Sequence, residues 1–92
     1  MSVANRIRSK LEAELRPTRL VIVDESYRHR GHAGARPGGE SHFRVEIVSP
    51  AFAGQSRLAR QRIVYALLAE ELAGPVHALQ LITLSPEEDA RP

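Results

Sequence analysis

Histidine is the residue type in this sequence with the clearest capacity for metal chemistry. The 92 residues contain four histidines and no cysteine. The lack of cysteine excludes disulfides, thiolate catalysis and cysteine-based zinc or iron–sulfur sites built by this chain alone. A transition metal bound here must use imidazole, carboxylate or backbone ligands. The imidazole candidates are His29, His32, His42 and His77.

Each histidine also has an interpretation without a ligand role. His77 lies in a predicted strand, where a partly buried ring held by a hydrogen bond is common. His32 lies in a glycine-rich segment, where a solvated side chain is the default, and His42 is interpreted as a structural or rim residue. The spacing of His29 and His32 is compatible with zinc, but two histidines alone are a weak signal. The residues by themselves leave these alternatives open.

Arginine supplies nearly all of the positive charge, and Lys10 is the one lysine in a chain of net charge +2. Between positions 28 and 62 seven arginines stand against two acidic residues. Guanidinium groups suit carboxylate or phosphate, so this basic middle predicts an anionic partner or nucleic acid. A solvated arginine-rich surface is the alternative. The candidate contact residues are Arg36, Arg57, Arg60 and Arg62.

No set of catalytic residues accompanies these groups. Ser26 and the Ser41-His42 pair form no nucleophile elbow, no acid is placed to orient a base, and no phosphate-binding loop signature follows the glycines. We therefore expect that the chain is not an enzyme. The apolar runs are too short for a membrane span, and the N-terminus lacks the apolar stretch of a signal peptide, so we expect a cytoplasmic protein.

Hydrophobic spacing predicts two helices that must position these residues. The first has a stripe at spacing four, is capped by Ser2 and is ended by Pro17. The second is the main core helix, which Ser56 caps and which continues to Leu72 before Gly74-Pro75 ends it. The stripe of the first helix consists of Val3, Ile7, Leu11 and Leu15.

Three strands complete the predicted fold. They cover residues 20–23, 42–47 and 76–84, and the order of elements is α-β-β-α-β. This order indicates an α+β fold in which a three-stranded mixed sheet carries both helices on one face. Along the second strand, alternation points three apolar side chains inward and leaves three polar ones facing water or a partner. The outward set is His42, Arg44 and Glu46.

From Asp24 to Thr83 the sequence closely resembles the BolA family. Three motifs carry this resemblance: GESHF at 39–43, LAEEL at 68–72 and VHAL at 76–79. The resemblance implies a fold similar to a type II KH domain, in agreement with the order of elements above. It also implies one BolA-like domain over residues 1–85, and we expect residues 86–92 to form a disordered tail.

The resemblance further implies a partner and a cofactor. BolA-like proteins pair with monothiol glutaredoxins. In the heterodimer a [2Fe-2S] cluster can be shared between the BolA-like chain and the glutaredoxin with its glutathione, in iron–sulfur cluster assembly or iron regulation. The family's histidine ligand at the last strand maps onto His77. The second ligand maps onto His32, within Gly31-His32-Ala33, although the segment is about one residue longer than usual and leaves His29 as an alternative.

Some members of the family are described as DNA-binding regulators, and this is the alternative function. It would use Arg57, Arg60 and Arg62 together with Arg36. Nucleic acid binding of the KH type requires a GxxG loop between two helices. Here the string Gly31-His32-Ala33-Gly34 lies between two strands, so RNA binding of the KH type is disfavoured.

Overall fold

A computed structural model describes residues 2–26 and 39–91 of the chain. The predicted α-β-β-α-β order is confirmed, and short helices are added to it. No helix in these two ranges is both long enough and apolar enough to cross a membrane. The elements are α1 (Val3–Leu15), β1 (Arg19–Asp24), β2 (His42–Val48), α2 (Arg57–Leu67), α3 (Ala69–Ala73), β3 (Ala78–Leu84) and α4 (Pro86–Asp89).

The central strand of the sheet is β2, which pairs with β1 on one side and β3 on the other. The β1–β2 pairing is antiparallel and sets Asp24 opposite Phe43. The β2–β3 pairing is parallel and sets His42 opposite Ala78. The end of β1 and the starts of β2 and β3 therefore meet at one end of the sheet.

The core lies between one face of this sheet and the helices, as the hydrophobic pattern predicts. The inward residues of β2 are buried and pack against the apolar stripe of α1 and against α2. Both predicted serine caps are present, because the Ser2 hydroxyl accepts the Asn5 N–H and the Ser56 hydroxyl accepts the Ala59 N–H, each at 3.0 Å. The inward residues of β2 are Phe43, Val45 and Ile47.

The main core helix is interrupted, which differs from the single helix predicted up to Leu72. Leu68 leaves helical geometry, with φ −103° and ψ 20°, and separates α2 from α3. Leu68 is buried while Leu72 packs against the same core. Because the apolar spacing continues across the interruption, the hydrophobic pattern gives no sign of it.

Residues 86–89 form α4, in place of the disordered tail predicted there. A capping box closes this helix, because the Ser85 hydroxyl accepts the Glu88 N–H while the Glu88 carboxylate accepts the Ser85 N–H. The Ser85 N–H and the Arg60 guanidinium lower the pKa of Glu88 to about 2. Asp89 also pairs with Arg19 across 2.7 Å. The capping box and these ion pairs attach the end of the chain to the domain.

Arg60 is a structural residue, which corrects its prediction as a contact residue. Its guanidinium is 2.7 Å from Glu88 and donates to the Thr83 and Gln55 carbonyls, each at 3.0 Å. The same group lies 5.7 Å from the centre of the Phe52 ring. Arg60 is only 7% exposed, so a phosphate or a partner carboxylate cannot reach it without disrupting these contacts.

Glu71 is the buried charge that joins α3 to α1. Its carboxylate is within 2.9 Å of both the Arg6 guanidinium and the Lys10 ammonium. Burial alone would raise the pKa of Glu71, but the hydrogen bond and charge of Lys10, with help from Arg6, bring this pKa below its usual value of 4.5. The ion pair therefore stabilises the fold fully at pH values above the usual pKa of 4.5. This contribution is lost as the pH falls through the lowered pKa of Glu71.

We expect Glu71→Gln to lower the free energy of unfolding by about 2 to 3 kcal/mol. This is below the value for a fully buried pair because Arg6 and Lys10 still reach solvent. Urea unfolding at pH 7 measures the loss. The matched control is Glu70→Gln, since Glu70 is an exposed partner of the same lysine and should cost less than about 1 kcal/mol. Equal losses of stability in the two variants would contradict the conclusion that the buried Glu71 carboxylate joins α3 to α1.

We expect Arg60→Ala to destabilise the domain by about 2 to 3 kcal/mol, because three oxygen partners lose a charged donor. The control is Arg57→Ala, one helical turn earlier on the exposed surface, which should change stability by no more than about 0.5 kcal/mol. Thermal and urea unfolding of the two variants measure the difference. A neutral Arg60→Ala would restore Arg60 as a candidate contact residue.

Candidate metal-ligand site

His77 lies directly before β3, at the end of the sheet where the three strand termini meet. Its side chain is exposed. Its backbone N–H donates to the Ser41 carbonyl at 2.7 Å, and the Ala78 N–H approaches the same oxygen at 3.3 Å. The main chain of His77 is therefore fixed against the entry to β2 while its imidazole faces outward, as a ligand for a shared metal requires.

His42 is buried, which corrects its predicted place on a face open to water or a partner. Only 8% of the residue is exposed. Its ring stacks against that of His77, with ring centres 6.4 Å apart and an interplanar angle of 23°. Its Nδ1 atom lies 2.8 Å from the Ser41 hydroxyl, to which it is hydrogen-bonded. These contacts favour the structural interpretation of His42.

Ser26 connects the end of β1 to the start of β2. Its hydroxyl donates to Asp24 and accepts the backbone N–H groups of Ser41, at 2.9 Å, and His42, at 3.2 Å. Ser26 and Ser41 are buried, so this connection is shielded from water. Sequence reasoning missed the role of these serines, although an Asp two residues before a Ser at a strand end is a signal for a turn closed by side chains.

Asp24 and Gly39 explain the first part of the GESHF motif. The Asp24 carboxylate accepts the Ser26 N–H and the Glu40 N–H, each at 2.9 Å. Burial would raise the pKa of Asp24, but hydrogen bonds from Ser26 and Glu40 bring it below its usual value. Gly39 has φ 82°, and a Cβ atom there would lie 2.9 Å from the carboxylate. The positive φ favours glycine, and a side chain at this position would displace the Asp24 carboxylate from its hydrogen bonds.

Glu40 links this same corner to the first helix. Its carboxylate accepts the Ala4 N–H at 3.1 Å, in the first turn of α1, where backbone N–H groups have no partner within the helix. The Glu40 backbone itself has φ 63°, an uncommon conformation for a residue with a side chain. The short stretch from Gly39 to His42 thus connects the sheet end, the helix and the ring beside His77.

The predicted ligands His29 and His32, and the predicted contact residue Arg36, lie outside the described residues. The residues that border this segment in the structure are Ser26 and Gly39, and both lie at the sheet end that carries His77. Among residues 2–26 and 39–91, no group of three or more potential ligands could hold a metal ion. The described part of the chain thus offers His77 as an exposed imidazole without a complete metal site around it.

Arg57 and Arg62 differ from Arg60 in their surroundings. Both are exposed on α2. In the part of the chain that the structure describes, the ion pairs involve other arginines, namely Arg6, Arg8, Arg19, Arg44, Arg60 and Arg91. Of the predicted contact residues on this helix, Arg57 and Arg62 therefore keep a guanidinium that a partner can reach.

Comparisons of this chain with known proteins all point to the same family. Residues 11–88 match the family described as BolA-like protein. The chain is 49% identical over 87 residues to the chloroplastic BOLA1 protein of Arabidopsis thaliana, covering 92% of this chain and 54% of that protein. It thus spans about half the length of that relative, and it covers 24% of the Arabidopsis SufE-like protein 1.

Two further matches, one to a bacterial relative and one to a solved structure, extend over most of this chain and most of the matched protein. The DNA-binding transcriptional regulator BolA of Escherichia coli is 48% identical over 88 residues, which are 96% of this chain and 80% of that protein. The structure of BolA1 from Arabidopsis thaliana superposes with a TM-score of 0.87 at 48% identity, and the match covers 96% of each chain. The shared sequence and fold identify this chain as a member of the BolA family.

Proposed function

We propose that this chain is an adaptor that pairs with a monothiol glutaredoxin and shares a [2Fe-2S] cluster with it. The role would be in iron–sulfur cluster assembly, trafficking or iron regulation. The observation that carries this proposal is the placement of His77, an exposed imidazole on a fixed main chain at the sheet end from which the 27–38 segment departs. The chain itself would perform no catalysis.

The donor atoms of the chain fit a shared cluster better than a self-contained one. Imidazole nitrogen is an accepted ligand of two-iron clusters, but the chain has no cysteine to supply thiolate. The thiolates would come from the glutaredoxin and its glutathione, and this chain would add His77 and His32, with His29 as the alternative to His32. Such a cluster, when bound, supplies one-electron chemistry at a potential that imidazole ligands raise.

The chain's own residues would contribute position. The Ser41 carbonyl holds the His77 N–H at 2.7 Å, and the parallel pairing of β3 with β2 fixes the direction in which the chain leaves this point. A ligand whose main chain is already fixed loses less freedom when it binds, which favours association. We propose that the chain performs this function in the cytoplasm, whereas BOLA1 of Arabidopsis thaliana is named as chloroplastic.

We expect His77→Ala to abolish the heterodimer's own absorption and circular dichroism spectrum. The test mixes the chain, a monothiol glutaredoxin, glutathione, iron and sulfide without oxygen. The wild-type chain should give a spectrum unlike that of the glutaredoxin homodimer, because imidazole replaces thiolate. His77→Ala should return the homodimer spectrum, and His77→Cys should restore a heterodimer with a shifted one.

The matched control for His77 is Gln80→Ala, an exposed position on the same strand, which should leave the heterodimer spectrum unchanged. If His77→Ala also left that spectrum unchanged, His77 would not be a ligand. If the wild-type chain formed no heterodimer at all, the adaptor proposal itself would fail.

The second candidate function is binding to duplex DNA. The Escherichia coli relative is named as a DNA-binding transcriptional regulator, and the exposed Arg57 and Arg62 on α2 are available for phosphate contacts. Arg36, which lies outside the described residues, stays a predicted contact residue for this function. Arg60 is left out because its guanidinium is used within the fold.

We expect the double variant Arg57→Ala/Arg62→Ala to weaken binding to duplex DNA and to make it less dependent on salt. Loss of two phosphate contacts should reduce the slope of log affinity against log salt by about 1.8. Fluorescence anisotropy at several salt concentrations measures this slope. The control, Arg8→Ala/Arg91→Ala, removes the same charge from arginines already paired with Glu12 and Glu87. Equal effects would indicate net charge alone, and absence of wild-type binding would remove this function.

A further inference from the structure

We propose that His42 is a positioning residue whose fixed ring orients the imidazole of His77 before a partner arrives. The inference concerns the free chain, and its consequence for cluster binding rests on the proposed function. It assigns His42 no ligand role. It also assigns a role to the hydroxyl groups of the buried Ser26 and Ser41, which the proposed function does not use.

The backbone contacts of His77 hold its main chain but do not set its side chain. The Ser41 carbonyl accepts the His77 N–H, and this hydrogen bond fixes the position of the His77 Cα atom. Two side-chain torsions then separate that bond from the imidazole, and an exposed side chain can rotate about both. A second contact is therefore needed if the ring is to keep one direction.

The ring of His42 supplies that second contact. The two ring centres are 6.4 Å apart and their planes differ by 23°, within the range of about 4.5 to 7 Å over which ring pairs, offset or edge-to-face, attract each other. The His77 imidazole thereby has a nearly parallel ring beside it, offset along the ring plane. Side-chain orientations that move the imidazole away from this stack lose the contact.

His42 can orient another ring because it is itself held. Its Nδ1 atom is hydrogen-bonded to the Ser41 hydroxyl at 2.8 Å, and its backbone N–H donates to the Ser26 hydroxyl at 3.2 Å. Ser26 in turn donates to Asp24. Ser41 therefore acts twice, through its carbonyl on the main chain of His77 and through its hydroxyl on the ring that supports the His77 side chain.

The main test measures the order of the His77 ring in the free chain by carbon-13 relaxation at Cε1. In the wild-type chain the ring should be nearly as ordered as the backbone. His42→Ala should make it as mobile as a solvated side chain, whereas His42→Phe should restore the order by replacing one flat ring with another. Ser41→Ala, which removes the hydrogen bond to Nδ1 of His42 but keeps the Ser41 carbonyl, should give an intermediate value.

The control is Glu46→Ala, also in β2, which removes the ion pair with Arg19 but leaves the stacked rings unchanged. It should not alter the order of the His77 ring, even where it lowers the melting temperature. Unchanged order in His42→Ala would overturn the proposal. So would a His42→Phe variant that regains thermal stability without regaining the order of the His77 ring.

A second measurement separates this inference from the proposed function. Heterodimer formation with a monothiol glutaredoxin under reconstitution conditions should weaken by about tenfold in His42→Ala, as for other residues that orient a ligand, with the cluster spectrum retained. Loss of the spectrum would make His42 a ligand and overturn the positioning role. If the wild-type chain forms no heterodimer, the proposed function fails, yet the relaxation test of the free chain still decides the positioning role.

Discussion

The parallel pairing of β3 with β2 is the constraint on which the arrangement of the site depends. Parallel neighbours need a long crossover connection, which α2 and α3 provide. Because the pairing is parallel, β3 begins beside the start of β2, and the His77 N–H reaches the Ser41 carbonyl. An antiparallel β3 would have placed His77 at the opposite end of the sheet, away from Ser26 and Gly39.

Two charged groups within the fold support this arrangement. Glu71 attaches α3 to α1 through Arg6 and Lys10, and Arg60 attaches α2 to α4 through Glu88. The crossover that carries the chain from β2 to β3 is thus held at both ends by ion pairs. Because Glu71 and Arg60 are buried, their loss would affect the fold before it affected any partner.

The sequence was sufficient for the elements that local spacing specifies. The stripe of α1 and the alternation of β2 predicted a buried helix face and a central strand, and the structure has both. Local spacing could not predict three other features: that His42 is buried, that Arg60 is bound within the fold, and that residues 86–89 form a helix. Each depends on a partner distant in sequence: His42 on His77, Arg60 on Glu88, and α4 on both Arg60 and Arg19.

The same limit applies to the arginine-rich middle of the chain. Arg57 and Arg60 are three residues apart, and their sequence surroundings are similar, yet one is exposed and the other is 7% exposed. What distinguishes them is that Arg60 can reach the Thr83 carbonyl and the Glu88 carboxylate. A cluster of like charges in a sequence thus shows only that the charges are present. The fold decides which of those charges are exposed to a partner.

A ligand shared between two proteins faces opposing requirements. It must be exposed so that the partner can approach, but an exposed side chain rotates freely, and fixing it on binding reduces affinity. In this chain a carbonyl holds the backbone of His77 while the buried ring of His42 lies beside its imidazole in a nearly parallel, offset arrangement. For the proposed shared cluster, this arrangement combines access with order, and it does so with groups that belong to the fold itself.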